Sequence, residues 1–581
     1  MIAKPITFPG WLNLSINMDE LDLVKQIPVR RYDPRTQTWG VPDTKRVRSF
    51  LGRCGVDLEG IQSNFKTPAM GLPRFKTAPR AHQTDDLNLM DGKHAFGILD
   101  EPGLGKTKVA IDDTTRWFDA GQITGVVVVC PNSIKSNWRE EIATHSPLTN
   151  DVYLYRAEKS KIADIWSARG PQPGTLRWFV VAVESLSSKN ALFAARNFAQ
   201  RHRCLLVVDE STRIKTESAN RTANVIALSK WCPIRRIMTG TMLTKNLEGA
   251  WSQMEILDPR ILGMDFYPFR GYFCVMGGYK KKSVVAGKNE GDFFDILTPW
   301  VSLKKKKDCL DLPDKVFQKR IVAPSDELRK RYNDILSGVD PDPSFSVAMV
   351  RDLRLHQLSG GFTYRLDNTK AMEFLLREIK AIETGGEMPD PDELEKKYIS
   401  EPIPGPNPKL EELVGITQEI SDKMIVWCEY RAEIGAIAAR LRSIYGDEAV
   451  VEFHGGIDED QRTLNRQAFQ NDPRVRWFVG QIRCGGIGLT LTAAPVEVFY
   501  SNNWSAENRI QAEDRIHRIS QVGEACLYID LLLGDDTTPT GGFIDSRVLR
   551  SVQAGKDYHA FVQDEIQARK NLLPIPVTEI F

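Results

Sequence analysis

Residues Asp100 to Thr107 read D-E-P-G-L-G-K-T, set between a short apolar run, Phe96 to Leu99, and a helical pattern. That string is built to hold a triphosphate. Gly103 and Gly105, flanking Leu104, let backbone N–H groups curl around phosphate oxygens. Lys106 reaches the β- and γ-phosphates, and the Thr107 hydroxyl can ligate Mg²⁺. A helix from Lys108 aims its N-terminal dipole at the same anion. Asp100 stands where the usual first glycine of G-x-x-x-x-G-K-[ST] would be, so the motif is a bare G-x-G-K-T. A chance turn is the competing reading, and the rest of the chain has to decide between them.

At 581 residues the chain exceeds one core, and ~150 residues per domain predicts three to four units. Lys and Arg number 77 against 76 Asp and Glu. Any basic surface is therefore local rather than global. Nine cysteines lack a C-x-x-C pair, which argues against structural zinc and against a disulfide framework. No apolar run approaches the ~20 residues of a membrane span, and the first residues lack a signal-peptide core. The expectation is an intracellular, cytoplasmic protein with no membrane partner.

Residues 1–65 read as a compact mixed segment, followed by a proline-bearing stretch, Lys66 to Pro79. Apolar runs then alternate with helical stretches to about residue 300: Phe96–Leu99, Val126–Cys130, Phe179–Val183, Leu205–Val208 and Arg236–Met238. Strands buried on both faces of a parallel sheet look like this. A charge-rich region from 304 to 383 is expected to be mostly helical. A linker follows, Gly385 to Pro408, with six prolines. From Lys409 a second alternating block offers Met424–Trp427, Ala449–Phe453, Trp477–Val479, Val496–Tyr500 and Cys526–Leu531. The fold class expected is α/β, with two parallel sheets facing across a cleft. The boundaries read as 1–65, 66–300, 301–408, 409–565 and a tail, 566–581.

The run Leu205–Val208 leads straight into Asp209, Glu210, Ser211 and Thr212. Adjacent acids at the end of an apolar strand are costly unless they work there. Beside a phosphate loop, Asp209 would hold Mg²⁺ and Glu210 would polarise the attacking water. Gln511 to Gln521 reads Q-A-E-D-R-I-H-R-I-S-Q, with Arg515 and Arg518 three apart and so expected on one helical face. They could neutralise charge on a γ-phosphoryl group as arginine fingers do. A solvated basic face is the alternative.

In this order, the strings resemble superfamily-two helicase motifs of the SWI/SNF type. Gln83 in P-R-A-H-Q resembles the adenine-reading glutamine, and D-E-P-G-L-G-K-T is one residue from D-E-M-G-L-G-K-T. Val126 to Trp138 (V-V-V-V-C-P-N-S-I-K-S-N-W) resembles motif Ia, which implies DNA-backbone contacts at Asn132 and Lys135. D-E-S-T takes the place of D-E-A-H. Thr239, Gly240 and Thr241 resemble motif III, which implies coupling of the γ-phosphate to the DNA groove. Leu303 to Pro313 is similar to a segment that braces the two lobes. Arg483 to Leu489 (R-C-G-G-I-G-L) resembles motif V, implying nucleotide contacts at Gly486 and Gly488. Gln511 to Gln521 resembles motif VI, implying roles for Gln511, Arg515 and Arg518. The resemblance spans residues 80 to 530. It implies two RecA-like lobes and a DNA-stimulated ATPase using ATP and Mg²⁺, moving on duplex, forked or bubble DNA. Thr212 departs from the usual box, which leaves coupling to DNA open.

Ile16 to Pro42 is similar to the HARP module found before motors that remodel branched DNA. This implies a small β-rich N-terminal module with nucleic-acid contacts at Arg31, Arg35 and Trp39, assisted by Arg30 and Tyr32. A protein partner for the module, with the motor displacing a stalled polymerase, is one alternative. A nucleotide-gated DNA scaffold that has lost turnover is another. The runs Lys280–Lys282 and Lys304–Lys307 read either as solvated surface or as DNA-backbone contacts. Trp504 is expected to pack between motifs V and VI. The compact layout, without reader domains, resembles bacterial and viral versions of such motors.

Overall fold

A computed structural model describes every residue except 5–10, 59–68, 241, 243–246, 278–282, 338–347, 367–397, 486–488, 520, 522, 535–542 and 571–581. The chain divides into two compact units. One comprises Met1–Asp311 with the C-terminal residues from Gly555, and the other Leu312–Ala554.

The first unit opens with a small antiparallel sheet. Its strands are β1 (Ile2–Lys4), β2 (Trp11–Ser15), β3 (Arg31–Asp33) and β4 (Thr38–Pro42), in the order β1-β2-β4-β3. The helix Lys45–Arg53 covers it, capped by the Thr44 hydroxyl on the Val47 N–H at 3.2 Å. Leu12, Leu14, Val41, Val47 and Leu51 fill the core between them. Trp11 anchors this module to the rest of the unit. Gly263 sits at φ +64°, and a Cβ there would stand 2.3 Å from the Trp11 ring, so only glycine lets the indole seat.

The main sheet of this unit contains β5 (Ala95–Ile98), β6 (Gly125–Cys130), β7 (Thr149–Leu154), β8 (Thr175–Ala182), β9 (Cys204–Asp209), β10 (Ile234–Met238) and β13 (Val301–Ser302). All are parallel, in the order β13-β5-β10-β9-β6-β8-β7. β6, G-V-V-V-V-C, is buried at every residue, as expected for a central strand covered by helices on both faces. A hairpin, β11 (Cys274–Gly277) with β12 (Ser283–Gly287), lies outside this sheet.

The second unit has six parallel strands. They are β14 (Asp314–Val322), β17 (Met424–Cys428), β18 (Val450–Phe453), β19 (Trp477–Gln481), β20 (Val496–Phe499) and β21 (Ala525–Leu533). Their order is β14-β21-β20-β17-β19-β18. β15 (Phe362–Leu366) and β16 (Tyr398–Pro402) pair antiparallel beside it.

Two expectations are corrected here. Residues 314–322 are an edge strand, although 304–383 read as mostly helical. β14 lies at the sheet edge, and Lys315, Lys319 and Arg320 break the apolar run that marks an interior strand. Tyr398–Pro402, read as linker, is β16; most of the rest of that stretch lies outside the described residues. Among the described residues no helix is long and apolar enough to cross a membrane.

Candidate nucleotide site

β5, β10 and β9 are consecutive parallel neighbours, so their carboxyl ends share one sheet edge, where ligands of parallel α/β sheets bind. β5 leads into the glycine loop, β9 into Asp209 and Glu210, and β10 into Thr239 and Gly240. Gly103 and Gly105 have φ of +91° and +81°. Gly105 caps the helix Lys106–Asp119, whose first N–H groups lack partners within the helix. Leu104 is buried, and its carbonyl accepts from Gln83 Nε2 at 3.1 Å and faces the His82 ring at 3.0 Å. Gln83 Oε1 accepts the Arg80 N–H at 3.0 Å. The Lys106 ammonium curls back onto the carbonyls of Asp100 and Glu101, at 2.7 and 3.3 Å.

Asp209 Oδ2 accepts the indole N–H of Trp138 at 3.0 Å, and Oδ1 accepts the Glu210 N–H at 2.9 Å. Desolvation raises the Asp209 carboxyl above its ordinary range; Trp138, the charge of Lys106 and the Glu210 N–H oppose it. Glu210 itself is left-handed, at φ +48°. Behind it Ser211 Oγ donates to Gln253 Oε1 at 2.6 Å, tying the box to the helix Ala250–Leu257. Thr239 is buried, and its N–H donates to the Ile98 carbonyl at 3.2 Å. Gly240 lies against the loop, since a Cβ there would stand 2.5 Å from Pro102 Cδ.

The donor set suits Mg²⁺. Asp209 Oδ1 and Oδ2 each accept one of these hydrogen bonds and each has a second lone pair to offer a metal-bound water, while Thr107 supplies a half-buried hydroxyl in the first helical turn. Thr241, Gly486 and Gly488 lie outside the described residues. Trp138, His82 and Gln253 were not singled out from the sequence. Trp138 closes the motif Ia string, but only the fold brings it to Asp209.

In the second unit Gln511 is buried on the helix Ala506–Glu513. Arg515 and Arg518 are not on one helical face. The helix ends at Glu513, and both arginines lie in the turns after it. Arg515 is buried, with Nη1 on the Leu489 carbonyl at 2.9 Å. Arg518 Nη1 reaches Thr490 Oγ1 at 2.8 Å and its Nε the Asp514 carbonyl at 3.0 Å. Turn geometry lets Arg515 satisfy the Leu489 carbonyl at the end of motif V, and Arg518 the Thr490 hydroxyl and the Asp514 carbonyl. Trp504, expected to pack, is 40% exposed.

The residues assigned to nucleic acid divide. Arg31, Tyr32 and Arg35 are exposed. Tyr32 faces Trp39 across β3 and β4, ring centroids 5.3 Å apart, so Tyr32 is not a core residue, and Trp39 is half-buried. Asn132 is exposed, and its N–H donates to Glu184. Lys135 is buried with its ammonium on the Tyr155 carbonyl at 3.0 Å, which withholds it from solvent. Of the run Lys304–Lys307, only Lys307 is exposed. Lys304 pairs with Asp86, Lys305 with Asp564, and Lys306 is buried with its N–H on Glu101 at 2.7 Å. Cys130 is buried, and burial pushes its thiol up, away from nucleophilic use.

Residues 82–384 match the SNF2-related domain, and 407–520 match the helicase conserved C-terminal domain. The chain is 22% identical, over 89% of its length, to a Caenorhabditis elegans SWI/SNF-related matrix-associated actin-dependent regulator of chromatin subfamily A-like protein 1 homolog, and spans 70% of that protein. It is 23% identical to the human lymphoid-specific helicase, over 74% of this chain and 57% of the relative. It is also 23% identical to an Aspergillus fumigatus TATA-binding protein-associated factor mot1, spanning 26% of it and 82% of this chain. Among solved structures, the Sulfolobus solfataricus SWI2/SNF2 ATPase core in complex with dsDNA aligns at TM-score 0.36 and 20% identity, over 81% of this chain and 90% of that one. With more than half of its residues matched by the SNF2-related model, the chain belongs to the SNF2-related family of helicase-like ATPases.

Proposed function

We propose that this protein is a DNA-stimulated ATPase that moves on duplex or branched DNA without a requirement to separate strands. The carrying observation is the shared edge of β5, β10 and β9, which gathers Lys106, Thr107, Asp209, Glu210, Thr239 and Gly240. Lys106 and the loop N–H groups bind the triphosphate, and Glu210 takes the proton of the attacking water. Thr107 and Asp209 would hold Mg²⁺, which would supply charge neutralisation to the triphosphate. Arg515 and Arg518 neutralise charge on the transferred group, with Gln511, Gly486 and Gly488 completing the nucleotide contacts. The segment Thr239 to Thr241 links the nucleotide state to the DNA groove, where Asn132 contacts the backbone.

The N-terminal module, read as HARP-like, selects the DNA structure. Arg31 and Arg35 reach phosphate, and the Tyr32–Trp39 pair offers ring faces to unpaired bases. Fork remodelling or strand annealing follows from that reading.

ATPase rates with no DNA and with duplex, forked and single-stranded DNA test the proposal. At least tenfold stimulation by duplex or fork is expected; no stimulation by any of them overturns it. Stimulation confined to forks favours remodelling over displacement of bound proteins.

A further inference from the structure

The helix Ala81–Leu89 reaches the glycine loop by two routes from residues three apart. Gln83 binds the Leu104 carbonyl near the loop's far end. Asp86 is fully buried and faces Lys304, whose ammonium is 2.9 Å from Asp86 Oδ1 and 3.7 Å from Asp85, and which also donates to the His82 carbonyl. Lys304 belongs to the stretch that lines the loop's near end. The Leu99 and Glu101 N–H groups donate to the Ser302 and Lys304 carbonyls, each at 3.0 Å. Ser302 Oγ donates to Asp100 Oδ1 at 3.2 Å, and Asp100 is 1% exposed. The Asp100 and Glu101 carbonyls are the two that receive the Lys106 ammonium.

Two buried acids side by side are costly without a cation. Burial and the neighbouring Asp100 both push the Asp86 carboxyl well above its ordinary range, while Lys304 pulls it back. Lys304 also meets Asp85 and the His82 carbonyl of the same helix, and the charge of Asp86 reaches the Cys309 thiol.

We propose that Asp86 is a positioning residue for ATP turnover: with Lys304 it locks residues 302–304 against Asp100 and Glu101, and so sets where the Lys106 ammonium starts. Gln83 and Asp86 thus hold opposite ends of one phosphate loop from one helix. The inference rests on the ATPase reading above.

The test is steady-state ATPase of the full chain with duplex DNA, for wild type, Asp86→Asn, Lys304→Met and the double variant, each with its melting curve. Each single substitution is expected to lower kcat about tenfold, with the KM for ATP within about threefold, because Gln83 and the Gly103–Thr107 backbone remain. The double variant should be no worse than the worse single, as two members of one lock. It removes the unmatched partner that each single substitution leaves, while Ser302 Oγ still donates to Asp100, so of the three variants it is the one expected to fold. Wild-type kcat in the double variant overturns the proposal, as do losses that multiply to about a hundredfold. A rise in KM at unchanged kcat overturns it too. A double variant that does not fold counts against it, since the pair would then be purely structural. Failure of wild type to hydrolyse ATP removes the ATPase reading itself, a distinct outcome.

Discussion

Gly240 and Pro102 touch: a Cβ at residue 240 would meet both Pro102 Cγ and Cδ at 2.5 Å. The end of β10 and the middle of the phosphate loop are therefore in direct steric register. Neither can shift without the other, which is the contact the proposed coupling of nucleotide state to DNA would use. Gly240→Ala should force the loop aside. Overpacking of this kind costs ~1–3 kcal/mol, and ~1.4 kcal/mol is tenfold in rate. ATPase is expected to fall about tenfold or more. Pro102→Ala in the same chain removes the colliding ring atoms and should restore part of the loss. Rate measurements on the single and double variants check this, and an unaffected Gly240→Ala would dismiss the register argument.

Glu210 holds φ +48° and ψ +55° in a side-chain-bearing residue, a conformation that costs ~1–2 kcal/mol. Strain of this sort persists where a side chain must be aimed. Glu210→Gln keeps the shape but not the base. Turnover should drop by ~10²–10⁴ while nucleotide affinity stays within a few fold. Glu210→Gly relieves the strain, so it should melt slightly higher than wild type yet be equally inactive. Hydrolysis at the wild-type rate by Glu210→Gln would remove its assigned role.

The parts of this architecture that could be read from the residues are those where one force dominates. Runs such as Val126–Cys130 and Met424–Trp427 announce strands because burial on both faces leaves only apolar side chains. β7 and β14 stayed hidden because edge strands carry polar residues, T-N-D in one and Lys319 and Arg320 in the other. Gly103, Gly105, Lys106 and Asp209 are local signals, and the fold brings them to one edge of the sheet. Lys304 is the contrary case. In sequence it is one of four lysines in a row; in the fold, a carboxylate 218 positions earlier makes it an internal clamp. Arg515 and Arg518 share the difficulty, since their spacing fits a helix that stops at Glu513.

The second unit contains a proton-dependent element. Glu433 is buried, accepts Ser501 Oγ at 2.6 Å and the Tyr430 N–H at 3.1 Å, and is pushed up to about 7, chiefly by burial. Its ordinary value is 4.5, so the folded state binds this proton more tightly than the unfolded chain. Its contribution to stability is therefore complete below about pH 4.5 and is lost as pH rises towards 7. At ~1.4 kcal/mol per unit the span is roughly 3 kcal/mol. Nearby His356, lowered to about 4 by burial, stays neutral through this window. Thermal melts at pH 5, 6 and 7 should show wild type losing stability while Glu433→Gln changes little. Parallel pH profiles for the two proteins would refute the assignment.

Trp11 provides the last test, because it decides whether the N-terminal module travels with the first unit. The indole is 6% exposed and seats against Gly263, while Arg46 Nη1 lies 3.3 Å from Tyr272 Oη and 3.2 Å from Asn289 Oδ1. The arginine contacts are solvent-exposed and add little on their own, so the docking rests on the buried indole, with Met264 and Tyr272 packed against the same core. Trp11→Ala removes a large buried side chain, a change that costs ~3–5 kcal/mol in a packed core. The module should then open while the parallel sheet stays intact. Limited proteolysis should release residues up to about 58 from Trp11→Ala at least tenfold faster than from wild type. DNA-independent ATPase should persist, because no residue of the nucleotide site lies in the module. Equal cleavage rates would mean that contacts other than the indole hold the module in place.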